Sequence, residues 1–171
     1  MDLNHIELSS SLVAELYKKT LIESAPTAIQ QEKSTEQVQD DSLWKYLGKN
    51  NKNILIIVNT NEAIHLPDNE LSFLTGILGA CKFSINDVAI LNLNNHPSAL
   101  HTGLKSFFKS KTVLLFDVEP IALGLPMNFP HYQVQAFSNT SFLYSPSLKE
   151  LENDKLQKSK LWVCLRRLFN V

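Results

Sequence analysis

The sequence predicts an α/β protein: a three-layer α/β/α body around a mainly parallel four-stranded sheet, plus a tethered N-terminal helix. Three observations predict it. Continuous β-branched apolar runs, led by Ile54-Leu55-Ile56-Ile57-Val58, read as strands covered on both faces. Between them lie stretches of about a dozen residues with apolar side chains at helical spacing, as right-handed βαβ units require. Ahead of both, residues 25–42 are mostly Gln, Glu, Ser, Thr and Asp, which cannot bury enough surface to offset chain entropy.

Taken in order, residues 1–24 form the first segment, 25–42 a flexible linker and 43–171 the α/β domain. Within the first, Leu8 to Ile22 reads as an amphipathic helix with Leu8, Leu12 and Leu16 on one stripe and Val13 and Tyr17 one position on. Ser9, Ser10 or Ser11 caps it, and Pro26 ends the pattern. These five apolar residues are the candidate partner-binding surface, because a lone helix this short needs something to pack on. The body opens at Leu43-Trp44, followed by a first strand, Asn53 to Val58. Asp68 is expected to cap a helix with Leu71, Leu74, Leu78 and Cys81 on one face. Val88 to Leu93 is the second strand. Pro97 suits the first turn of a helix bearing Leu100, Leu104, Phe107 and Phe108. Val113 to Val118 is the third strand, Glu119 to Met127 a loop, and Tyr132 to Phe137 the fourth strand. Pro146 to Phe169 is helical and broken near Asn153-Asp154.

Charge divides the chain. Residues 1–42 hold eight acids and three bases, net −5, whereas the rest holds nine acids and thirteen bases, net +4. Two parts so different are expected to do different jobs. A body at +4 is too weakly basic to predict nucleic-acid binding from charge. No apolar run approaches the roughly 20 residues of a membrane span. Met1 to His5 has neither the basic nor the apolar region of a signal peptide, so a cytoplasmic setting is expected. Cys81 and Cys164 stand alone in helical patterns and read as small buried hydrophobes.

Chemistry in open α/β sheets gathers beyond the C-terminal ends of the strands. Asn59-Thr60-Asn61-Glu62-Ala63 follows the first strand and has neither a phosphate loop nor a dinucleotide fingerprint. Asp117, closing the third strand, is the best single candidate for a functional carboxylate, although a turn satisfying it is the plainer reading. His96 and His101, five apart, are poorly spaced to share a metal on one helix face. His5, His65 and His131 stand alone. Gly-x-Ser-x-Gly is absent. Lys105, Lys109 and Lys111, like Lys158, Lys160, Arg166 and Arg167, read as solvated helix faces, with phosphate contact the alternative. These readings predict no enzyme, no cofactor and no metal.

The closing third carries a family resemblance. Phe142-Leu143-Tyr144-Ser145-Pro146-Ser147-Leu148-Lys149-Glu150-Leu151, followed by Asn153, Lys158, Leu161 and Trp162, resembles the end of the psi subunit of the bacterial DNA polymerase III clamp loader. There a last strand ends in Ser-Pro-small-Leu, followed by a helical turn and a helix bearing Leu-Trp. In this chain Ser145 or Ser147 would cap, Pro146 would set the strand-to-helix turn, and Leu148, Leu151 and Trp162 would pack back onto the sheet. Ile54 to Asn61 and the order of elements are similar too, which extends the likeness loosely over residues 43–170. The resemblance implies a non-catalytic adaptor of the replication machinery. Its body would meet a chi-like subunit and its N-terminal peptide other clamp-loader subunits, so that nucleic acid is reached only indirectly and no membrane is involved. Any polymerase label would then come from membership of a complex.

The same architecture looks like that of uracil-DNA glycosylases. Those use a carboxylate or equivalent group after the first strand and His-Pro-Ser near the last. Here Asn59-Thr60-Asn61 stands at the first, and Tyr144 takes the place of the histidine. His96-Pro97-Ser98 copies the motif's composition but follows the second strand. No glycosylase activity is therefore expected, since the charge that would stabilise the transition state is missing. An unusual enzyme of that superfamily is the first alternative; an oligomerisation module, a homodimer through the N-terminal helix, is the second.

Overall fold

Ile54-Leu55-Ile56-Ile57-Val58 (β2) is buried at every position, and its side chains alternate between two apolar clusters. Ile54, Ile56 and Val58 pack with Leu74, Leu78, Leu161 and Leu165, whereas Leu55 and Ile57 pack with Leu104, Phe108 and Leu123. A strand that is apolar on both faces needs helices on both, and the chain supplies them. The structure, a computed structural model, describes residues 44–171. The expected N-terminal helix and the linker lie outside the described residues.

Six strands form one mixed, mostly parallel sheet. They are β1 (Tyr46–Gly48), β2, β3 (Val88–Asn92), β4 (Thr112–Phe116), β5 (Val134–Phe137) and β6 (Thr140–Ser145), in the order β1-β3-β2-β4-β6-β5. β3, β2, β4 and β6 run parallel, while β1 and β5 are antiparallel edges. Among the described residues there are four α-helices: α1 (Asp68–Ala80), α2 (His101–Phe108), α3 (Leu148–Asn153) and α4 (Lys155–Phe169). Among the described residues, no helix is long and apolar enough to cross a membrane.

The expectation of four strands is corrected to six. The strand expected at Tyr132–Phe137 is present as Val134–Phe137, but it turns at Ser138-Asn139 and pairs antiparallel with β6 as an edge of the mainly parallel sheet. Both turn residues have positive φ (49° and 61°), the tight two-residue hairpin geometry, and so short a link cannot make a parallel crossover. β6 takes the parallel place beside β4. At the other edge, three-residue β1 depends on Gly48, whose φ is +103° and where a Cβ would lie 2.1 Å from the Val88 carbonyl oxygen. So short a strand also blunts the edge against further pairing.

Helix boundaries differ as well. α1 has no side-chain cap; Pro67 holds the cap position and Asp68 lies inside the first turn, where its charge suits the helix dipole. α2 begins at His101 rather than at Pro97, because a 3-10 turn over Leu93–Asn95 and the Ala99 N–H to His96 carbonyl bond occupy the chain between. The predicted break near Asn153-Asp154 is present: Ser147 caps α3 by accepting from the Glu150 N–H, and Asp154 caps α4 by accepting from Leu156 and Gln157. Ser145 does not cap. Its buried hydroxyl donates to the Leu115 carbonyl. Cys81 is buried as expected, but Cys164 is half-buried, and its thiol, which burial keeps protonated, donates to the Tyr132 carbonyl.

Candidate functional site

Two regions compete for the role. The first is where fold logic puts chemistry, at the C-terminal ends of the parallel strands. Asn92, last residue of β3 and fully buried, closes the end of the β3–β2 pair there, opposite Val58. Its amide nitrogen donates to the carbonyls of Thr60 (2.8 Å), Ala63 (3.1 Å) and Ile64 (3.3 Å). Its amide oxygen accepts from the N–H groups of Thr60 (3.2 Å) and Asn94 (3.1 Å). Every donor and acceptor of that side chain is used on the protein's own loops. Asn59-Thr60-Asn61-Glu62 is thus shaped by Asn92, with Thr60 Oγ1 in turn accepting from the Glu62 N–H.

Beside it, Asp117 leaves β4 with φ +55° and donates its N–H to the Ser145 carbonyl, so its exposed side chain stands at the sheet's rim. Tyr144 is half-buried there, with the His131 ring 4.2 Å away. Burial first, and then the Glu119 and Asp117 carboxylates, raise the Tyr144 hydroxyl above its ordinary pKa, which keeps the phenol neutral. Asp117, Glu119, His131 and Tyr144 therefore do share one shallow rim. His96 lies elsewhere: its Nε2 accepts the Lys45 N–H at 3.2 Å and its ring packs 5.1 Å from Trp44. His101 bonds the Leu123 carbonyl through Nδ1. Among the described residues, no three His, Cys, Asp or Glu side chains group as metal ligands would. Of the lysines, Lys105 reaches back to Ser138, and Lys160 sits 5.9 Å over the Tyr132 ring.

The second region is a trench of about 540 Å³ between α1 and α4. Its walls include Phe73, Gly76 and Ile77 of α1 and Leu161, Trp162 and Leu165 of α4. Trp162 corrects the expectation that it packs onto the sheet. Leu148, Leu151 and Leu161 do so, each at 2% exposure or less, but Trp162 is 36% exposed on the trench rim. The reason is helical phase: Leu161 and Leu165 take the inward stripe four apart, and Trp162 sits about 100° round the helix from Leu161. Leu8, Leu12, Val13, Leu16 and Tyr17 lie outside the described residues.

Two features of these regions escaped the sequence reading as parts of a site. Asn92 was legible only as a polar residue closing Val88-Ala89-Ile90-Leu91, and the strand was carried past it to Leu93. The α1 wall was legible as Leu71 to Ala80, ten residues without a charge. Compared with models of protein families and with curated proteins, the chain matches no family model and no curated protein.

Proposed function

We propose that this chain is a non-catalytic adaptor of the replicative clamp loader, resembling the psi subunit and working through protein–protein contacts. In this reading residues 1–24 form a helix, tethered by residues 25–42 to a three-layer α/β/α body. Leu8, Leu12, Val13, Leu16 and Tyr17 enter a groove on a clamp-loader subunit, and the linker keeps the body close by. The body meets a chi-like subunit. The observation that carries the reading is Asn92: at the C-terminal end of β3, one of the strand ends where an α/β enzyme sets reacting groups, this chain sets a side chain committed wholly to its own loops. The closing segment supports it, since Ser147 caps and Leu148 and Leu151 are buried in the positions the family likeness gives them.

The test is a pull-down of the tagged full chain from its native host, with partners identified by mass. Clamp-loader subunits are expected with the natural sequence and lost with Leu12→Asp or Leu16→Asp. Uracil excision from DNA that disappears on Asp117→Asn or His96→Ala would replace this reading with the glycosylase one. The rim shared by Asp117, Glu119, His131 and Tyr144 is the one feature favouring that alternative. A dimer that dissociates with Leu16→Asp, without clamp-loader partners, would instead identify an oligomerisation module.

A further inference from the structure

We propose that the trench between α1 and α4 receives one acidic amphipathic helix from another protein, apolar stripe inward and carboxylates along the α4 edge. The floor sets the apolar half of this match. Phe73, Ile77, Leu161 and Leu165 line it, and Trp162 stands half out of it. Along α1 the wall is low: Ser72, Gly76 and Ala80 are exposed and small. A Cβ built on Gly76 meets nothing within 4 Å, so a guest backbone can come close there. Helix-in-groove recognition uses this shape, with guest side chains at i, i+3, i+4 and i+7 as anchors.

Charge sets the other half. α4 carries Lys155, Lys158, Lys160, Arg166 and Arg167 and no acid. Lys155, Lys158, Trp162 and Arg166 follow one another at three- and four-residue steps, so cations flank the tryptophan along one edge. Lys158 leans across, its ammonium 5.3 Å over the Phe73 ring, the place it holds when no guest carboxylate draws it off. The facing wall, Leu71 to Ala80, has no charge at all, and Glu152 closes one end. A nucleic-acid strand would find phosphate partners on one side only and a carboxylate at the end. A helix that is apolar beneath and acidic along one edge, its carboxylates kept clear of the Glu152 end, matches the apolar floor, the uncharged stretch of α1 and the cationic edge of α4. The inference rests on the adaptor reading only in taking the trench as a docking surface; it needs no clamp-loader partner.

The experiment is fluorescence anisotropy on the full chain with a labelled peptide of about five helical turns, leucines on one stripe and glutamates elsewhere. A second peptide carries lysine for each glutamate. The acidic peptide is expected to bind about tenfold tighter than the basic one, and Lys158→Glu should erase that preference. Gly76→Glu should weaken it by about tenfold or more while circular dichroism stays unchanged, since nothing occupies that Cβ position. Trp162→Ala should weaken it too. Equal binding by Gly76→Glu, or preference for the basic peptide, would overturn the proposal. So would tighter binding of a peptide copying residues 7–24, which would give the trench to this chain's own segment. Displacement by oligothymidylate, or a dimer abolished by Gly76→Glu, would give it to nucleic acid or to a second copy. Peptide binding without clamp-loader recovery would leave the trench standing and end the psi reading; the reverse would end the trench alone.

Discussion

At the ends of the parallel strands, a polar side chain is buried and every bond it can make is made internally. Between α1 and α4, apolar side chains line a hollow that the described residues leave open. Asn92 holds two loops in place, whereas a Cβ built on Gly76 would meet nothing beyond its own helix. The difference teaches how to tell structure from function in a chain without an obvious motif. A satisfied buried amide is what folding needs, since leaving it unpaired is costly. An apolar trench that the described residues leave open is the kind of surface on which a partner can dock.

Mutations can break or sharpen that contrast. Asn92→Ala strands three carbonyls and two N–H groups near the sheet, and urea denaturation should show a loss of about 3 kcal/mol. A loss under about 0.5 kcal/mol would mean that the Asn92 bonds do not hold these loops. Gly48→Ala meets the Val88 carbonyl at 2.1 Å with a left-handed φ, and should cost about 2 kcal/mol in the same assay. Asp154→Ala removes the cap of the helix that forms one trench wall, and about 1 kcal/mol should go with it, read as a lower melting temperature. Gly76→Ala has the opposite sign. Its methyl enters open space in a helix interior, so stability should rise by up to about 1 kcal/mol. A trench residue that could not be changed freely would blur the distinction.

The smallest effect is a pH dependence. His96 accepts the Lys45 N–H, which only the neutral ring can do, and burial lowers its pKa below the ordinary 6.5. The unfolded chain then binds more protons between the lowered value and 6.5, so stability should fall as pH drops through that window and level off below it. His96→Gln should flatten this step in melting temperature between neutral and mildly acidic buffers.

Much of the sheet was legible because burial on both faces forces unbroken apolar runs: β2, β3 and β4 each stand within two residues of the segments read from composition. The interruption at Asn153-Asp154 was legible because an aspartate can start a second helix where the first ends. β1 was not, since three residues carry no periodicity and its register hangs on the room around one glycine. The hairpin was missed for a related reason. Ser138-Asn139 is not the Asn-Gly or Asp-Gly signal, though both residues adopt positive φ. Trp162 was misplaced because a tryptophan beside a leucine looks like core until the helix phase is known. The trench itself needed the tertiary arrangement of α1 and α4, which are far apart in sequence and have no pattern in common.

The most direct measurement is size-exclusion chromatography of the purified full chain mixed with the reconstituted clamp loader of its own host. Co-elution in fixed proportion, without the addition of nucleotide or metal, is the result expected. Elution as a separate peak at concentrations well above micromolar would contradict the account.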